Sequence, residues 1–230
     1  MHTVKPFSPM KFNPLFHFLN RLNQNNHKSW MDEHRGEYRA IREEVIQWIN
    51  RFNPVLERID PNYTFTEGRK AITRINNNLV YKPNAPVYKT YLGFELDQQK
   101  GQPAFYVEMG LDHCFIAGGF YRPSPGILQS IREAIDYNGS KLKDIIYAPE
   151  FVEQFGRMED TVSEQDQLKT APKGYNPDHE HIELLRLKSF EVIQHLPPDA
   201  PLNDNFTDKI IQSYQDMLPY RQYLRQAVSV

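Results

Sequence analysis

The chain has 230 residues and a formal net charge of −2, with 40% hydrophobic and 24% charged residues. That balance belongs to a soluble globular chain of one large domain or at most two small ones, and it lacks the basic stripe of a general nucleic-acid binder. No apolar run reaches the roughly 18–20 residues of a membrane span, and the single cysteine, Cys114, excludes an intramolecular disulfide or a cysteine-rich metal site.

Residues 1–12 read as an arm. The opening MHTVKPFSPMKF lacks the apolar core of a signal peptide, so a cytoplasmic setting is expected. Asn13 and Pro14 read as cap and first turn of a helix carrying Leu15, Phe16, Phe18, Leu19 and Leu22. A long helix follows over about 27–59, with apolar residues sustained at spacings of three and four. Pro54 is expected to kink or divide it. Trp30, His34 and Tyr38 recur every four residues and share a face. They form either an aromatic wall for a ligand or ordinary helix packing.

Residues 60–86 are irregular and polar, with a short strand expected at Ala71–Ile75. Then alternation sets in. Leu92, Phe94 and Leu96 face one way, and Lys89, Tyr91 and Glu95 the other. Strands near 88–96, 103–109 and 113–121 are joined by short turns, which predicts an antiparallel meander. Cys114 inside the third strand reads as a buried, inert thiol.

Gly118 and Gly119 close that strand, where paired glycines admit a bulge or a close backbone approach. Ser124 and Pro125 start a helix that Asn138 and Gly139 are expected to end, and Ser140 begins another. Asn176 and Pro177 repeat the cap-plus-proline device, with Asp178 and Glu180 in a predicted first turn. Ser189–Gln194 reads as a strand. The last helix runs over about 206–226, with Pro219 expected to interrupt it.

Two stretches are expected to meet: 117–128, with its double glycine, and 168–194, with its basic loop, turn and strand. If they abut, several cations converge, among them Lys89, Arg122, Lys169, Lys173, Arg186 and Lys188. Such a cluster beside the helix starting at Ser124 suits a phosphate or carboxylate, and solvated charge is the blander reading. Glu108 is the acidic residue to watch, because its strand brings it towards Lys89 or Tyr91. The run Asp178-His179-Glu180-His181 suggests a metal only weakly, since no third ligand is specified, and no metal or other cofactor is assigned. Walker, GxGxxG and GxSxG motifs are absent, so no catalytic residue is named.

Several blocks together carry a resemblance: FxFLxxLxxNNxxxWM (Phe16 to Met31), Arg74-Ile75 followed by Pro86, Tyr88 and Lys89, GGFYRP (Gly118 to Pro123), LKTAPKGYNPDH (Leu168 to His179) and LLRLK (Leu184 to Lys188). In order and spacing they resemble a widespread family of uncharacterised proteins, domain of unknown function 2461, over about residues 13–225. The resemblance implies no activity. It does imply a charged loop after Arg74-Ile75, with Arg-Asp, a second Arg, and Asp-Lys before the Tyr-Lys pair. Here those positions hold Asn77, Asn78, Val80, Asn84 and Ala85. If that loop is the family's site, this chain has changed its ligand or lost the activity.

The expected architecture is α+β: one domain over 13–226, with a mainly antiparallel sheet packed against the long N-terminal helices and further C-terminal helices. The expected function is a cleft for a small anionic ligand, with an enzymatic role left open. In it Lys89, Arg122, Arg186 and Lys188 hold the anion, Tyr88 and Tyr121 line it, and Trp30 closes one side. A non-catalytic interaction or scaffold domain is the alternative, with the neutralised loop in its favour. No nucleic-acid or membrane partner is expected.

Overall fold

A computed structural model describes residues 10–158 and 163–229. The fold is α+β, a four-stranded antiparallel meander packed with helices. The helices are α1 (Asn13–Gln24), α2 (Lys28–Ile59), α3 (Gly68–Ala71), α4 (Pro125–Ile146), α5 (Pro149–Phe155), α6 (Ile182–Leu185) and α7 (Phe206–Ala227). The strands are β1 (Tyr91–Leu96), β2 (Ala104–Gly110), β3 (Cys114–Phe120) and β4 (Phe190–Leu196), in the order β1-β2-β3-β4. Among the described residues no helix is long and apolar enough to cross a membrane.

The chain divides into two compact units. The first is built from residues up to Gln98 with Tyr106–Ile116 and His195–Gln212. The second comprises Gln99–Phe105, Ala117–Gln194 and the chain from Ser213 onward. In the first, the three-and-four spacing of α2 turns Val45, Trp48, Ile49, Phe52 and Leu56 inward. Trp48 stacks on Phe52 at 5.0 Å and meets Phe94 and Phe12 edge-on. Truncating any of these fully buried rings costs roughly 3–5 kcal/mol. Of the expected arm, residues 1–9 lie outside the described residues, and Phe12 is fully buried.

In the second unit, Arg221 is fully buried and lies over the rings of Tyr214 (5.0 Å) and Phe105 (5.7 Å). It donates to the carbonyls of Pro103 and Ala104, both at 3.2 Å. A buried guanidinium needs such acceptors, because leaving it dry and unpaired is expensive.

Some local expectations give way to tertiary context. Asn13 lies inside α1 rather than capping it, and the cap position is Phe12. Pro54 does not divide α2. Beside it the buried Asn53 amide donates to the Ile49 and Thr66 carbonyls and accepts from the Tyr63 hydroxyl and the Thr66 amide. Those bonds hold the backbone on both sides. Pro219 likewise lies within a continuous α7.

The expected strand at Ala71–Ile75 is α3 followed by single bridges, Ile72 to Phe94 and Asn76 to Tyr88. The segment after Ser124 breaks at Asn138 (φ −151°, ψ 55°), where two helices meet across a kink within α4, as expected. A Cβ at Gly139 would lie 2.3 Å from the His181 ring, so only glycine lets the chain pass there. The helix expected from Asn176 is a series of turns, with only α6 helical. Asn176 Oδ1 accepts from the Asp178 amide, and His179 Nδ1 from the His181 amide. These local side-chain bonds compete with the helical pattern.

Candidate functional site

The two stretches singled out in the sequence do meet. Gly119 has φ +117°, and a Cβ on it would lie 2.0 Å from the Phe190 carbonyl oxygen. Only glycine lets β3 approach β4 so closely with that dihedral. The next turn then places Arg122 at φ +44°, the left-handed region that non-glycine residues avoid. Its amide donates to Ser189 Oγ at 3.0 Å, which fixes the strained turn.

Residues 166–168 run antiparallel to 186–188. The Leu168 amide donates to the Arg186 carbonyl at 2.9 Å, and the Lys188 amide to the Asp166 carbonyl at 2.8 Å. Arg132 holds the same segment, donating to the Leu185 and Leu187 carbonyls at 2.9 and 3.1 Å. This short ladder sets Asp166 against Arg122. Arg122 Nε donates to Asp166 Oδ1 at 2.7 Å and Nη2 to Oδ2 at 3.3 Å. Ser163 Oγ adds a third bond to Oδ2 at 3.0 Å. The Arg122 guanidinium also lies 5.2 Å from the centre of the Tyr121 ring.

Together with Ser189, Glu191 and Ile193 these side chains line an open pocket of about 300 Å³. Its two carboxyl groups are driven apart. The Arg122 guanidinium, helped by Ser163 and the Lys188 charge, holds Asp166 below the usual carboxylate range. Burial, with the Asp166 charge added, pushes Glu191 up to about 7. Tyr220 is fully buried, and its hydroxyl has no hydrogen-bond partner among the described residues. Burial raises its pKa well above the phenol range, and the Glu191 charge adds to the effect. One carboxylate is therefore fixed as an anion while another exchanges its proton near neutrality, the arrangement that separates acid from base roles. The guanidinium uses two of its five N–H groups on Asp166, and three remain for a ligand.

The structure thus gathers Tyr121 and Arg122 around Asp166; the Lys188 charge acts on Asp166, but Lys188 is not among the pocket's lining residues. Arg186 joins through its carbonyl. Its guanidinium pairs with Glu183 at 3.6 Å, and it is not among the pocket's lining residues. Lys89, Tyr88 and Trp30 belong to the first unit. Lys89 Nζ lies 5.2 Å from the Tyr91 ring centre, and burial lowers its pKa against the pull of Glu108. Glu108 accepts from the Tyr106 hydroxyl and pairs with His113 Nε2 at 2.6 Å. Tyr88 is buried and anchored by Asn26, whose side chain bonds its amide and carbonyl at 2.9 Å each. Trp30 stacks on His34 at 4.0 Å and meets Phe18 at 5.6 Å, which makes it part of helix packing. Burial raises the Cys114 thiol to about 12, the inert state expected of it.

Sequence reasoning missed Asp166, Glu191, Ser163 and Ser189. The one signal for Glu191 was an acidic residue between the buried Phe190 and Val192 of a strand. The loop after Arg74-Ile75 is held by Asn77, whose amide donates to the Val87 carbonyl and whose side chain donates to the Pro86 carbonyl. Its tip exposes Val80 (87%) and Tyr81 (84%).

A family model described as conserved hypothetical protein (DUF2461) matches residues 14–223. No curated protein and no solved structure matches the chain.

Proposed function

The chain belongs to the DUF2461 family, and on that premise, which supplies no activity, we propose that it binds a small phosphate- or carboxylate-bearing ligand in the Arg122 pocket. Arg122 anchors the anion, Tyr121 lines the mouth, and Glu191 exchanges a proton with the ligand. The reading extends to an enzyme of acid–base type working in the cytoplasm. The observation that carries it is the Arg122 guanidinium, oriented by Asp166 within an open pocket and left with unused donors. The strained Arg122 backbone adds support, because such outliers cluster at functional sites.

Arg122→Gly tests the proposal cleanly. Glycine relieves the positive φ, a gain of about 1–2 kcal/mol, which offsets the loss of the ion pair to the buried Asp166, whose carboxylate keeps the Ser163 hydroxyl as a donor. A melt without ligand first checks that the variant is folded. Melting temperatures would be compared across phosphate, sulfate, dicarboxylates and sugar phosphates. A ligand at about a hundred times its dissociation constant adds roughly 2.7 kcal/mol. The wild type should respond to one anion class and Arg122→Gly should not. Equal responses in both proteins would remove Arg122 from the site.

A second reading, a protein-interaction domain, rests on the exposed Val80 and Tyr81 at the loop tip. It predicts that Val80→Asp with Tyr81→Ser abolishes partner capture and leaves every anion response intact.

A further inference from the structure

The first unit holds a concentration of positive charge that the proposed function does not use. Arg35, Arg39 and Arg42 lie on α2 at intervals of four and three, so they share one face of the helix. Gly68 brings a fourth. A Cβ at Gly68 would lie 2.5 Å from the Ile46 carbonyl oxygen, so α3 rests directly on the α2 backbone. The Gly68 amide donates to Asn50 Oδ1 at 2.8 Å and locks that contact. Arg69 then reaches Glu43 at 3.0 Å, and its carbonyl accepts from Arg42 Nη2 at 3.3 Å. The result is a groove of about 400 Å³ lined by Arg35, Tyr38, Arg39, Arg42, Glu43 and Arg69.

Four guanidiniums face one carboxylate there, in a chain whose net charge is −2. Asp32 holds Arg35 at 2.6 Å, and the Tyr88 phenol lies within its reach. Glu43 is taken by Arg69. Among the described residues Arg39 has no hydrogen-bond or ion-pair partner, and Arg42 has only the Arg69 carbonyl. Like charges one helical turn apart repel and weaken a helix. The groove therefore carries a local electrostatic strain that a bound anion would relieve.

We propose that this groove is a polyphosphate site, taking a ligand with two or more linked phosphoryl groups. A rise of about 1.5 Å per residue sets Arg35 about 6 Å above Arg39 and Arg39 about 4.5 Å above Arg42. A single carboxylate engages one guanidinium fork, whereas a di- or triphosphate chain spreads its oxygens over two or three. The groove offers no apolar fringe for a lipid surface beyond the Tyr38 ring.

The test is calorimetric titration of sodium tripolyphosphate into wild type, Arg39→Ala/Arg42→Ala and Arg122→Gly, with sulfate at matched ionic strength as control. Wild type and Arg122→Gly should share the tightest tripolyphosphate-binding step, and the double variant should lose that step, binding at least about tenfold more weakly. Sulfate should bind far more weakly than tripolyphosphate. Unchanged affinity in the double variant, equal affinity for sulfate, or no heat from tripolyphosphate at millimolar concentration would each overturn the assignment. A loss confined to Arg122→Gly would also overturn it and move the anion to the other pocket.

Discussion

Arg122 and Arg39 are both exposed arginines, yet one is held by several partners and the other by none. Asp166 grips two nitrogens of Arg122, the Tyr121 ring supports its face, and Ser189 fixes its backbone at a positive φ. Arg39 stands on a regular helix with no partner among the described residues. The first is a preorganised donor whose ordering has been met before any ligand arrives, which favours a defined ligand. The second contributes charge without fixed direction, which favours a strongly charged ligand and a steep dependence on salt.

The largest expected effect tests how rigid the Arg122 side of this contrast is. Gly119→Ala puts a methyl group against the Phe190 carbonyl and imposes an unfavourable φ. Together these should destabilise the protein by roughly 3 kcal/mol. Urea denaturation checks it. A change under about 0.5 kcal/mol would mean that the β3–β4 junction yields easily and that Arg122 is not preorganised.

Glu191 sharpens the contrast through pH. Its folded pKa, about 7, lies above the ordinary carboxylate value. Its stability contribution is therefore complete below the unfolded value and is lost as pH rises through the folded one. Relative to Glu191→Gln, the wild type should lose about 2 kcal/mol between about pH 5 and pH 8. Parallel pH profiles for the two proteins would show that Glu191 stays solvated and ionised, and the pocket would lose its proton-exchanging group.

The sequence made some of this readable and left the rest hidden for physical reasons. Strands β1 and β2 show because Leu92, Phe94, Leu96, Phe105, Val107 and Met109 share a buried face, while Tyr91, Glu95 and Tyr106 opposite are half-buried, and Gly93 and Glu108 there are buried. Tyr121 and Arg122 stood out because a double glycine precedes them. Asp166 was invisible because the ladder that positions it spans only three residues, too few for any alternation to register. The false helix at Asn176 came from a true local signal, since asparagine and histidine side chains that suit a helix cap also suit a tight turn. The stripe of Arg35, Arg39 and Arg42 is plain in the spacing. Its concavity is not, because Gly68, some thirty residues away, supplies the other wall.

The smallest expected effect separates the two arginines most directly. Arg39→Ala removes no hydrogen bond and no ion pair among the described residues, and it relieves repulsion from Arg35 and Arg42 on the same face of α2. Alanine is also the best helix former. Stability without ligand should therefore hold within about 0.5 kcal/mol of the wild type, and any change should be a gain. That gain should shrink as salt rises, because salt already screens the repulsion. Urea denaturation at low and high sodium chloride measures both. A salt-independent loss of stability would mean that Arg39 packs its methylene stem against a neighbour, and the groove would then be a structural feature of α2 rather than a place held open for an anion.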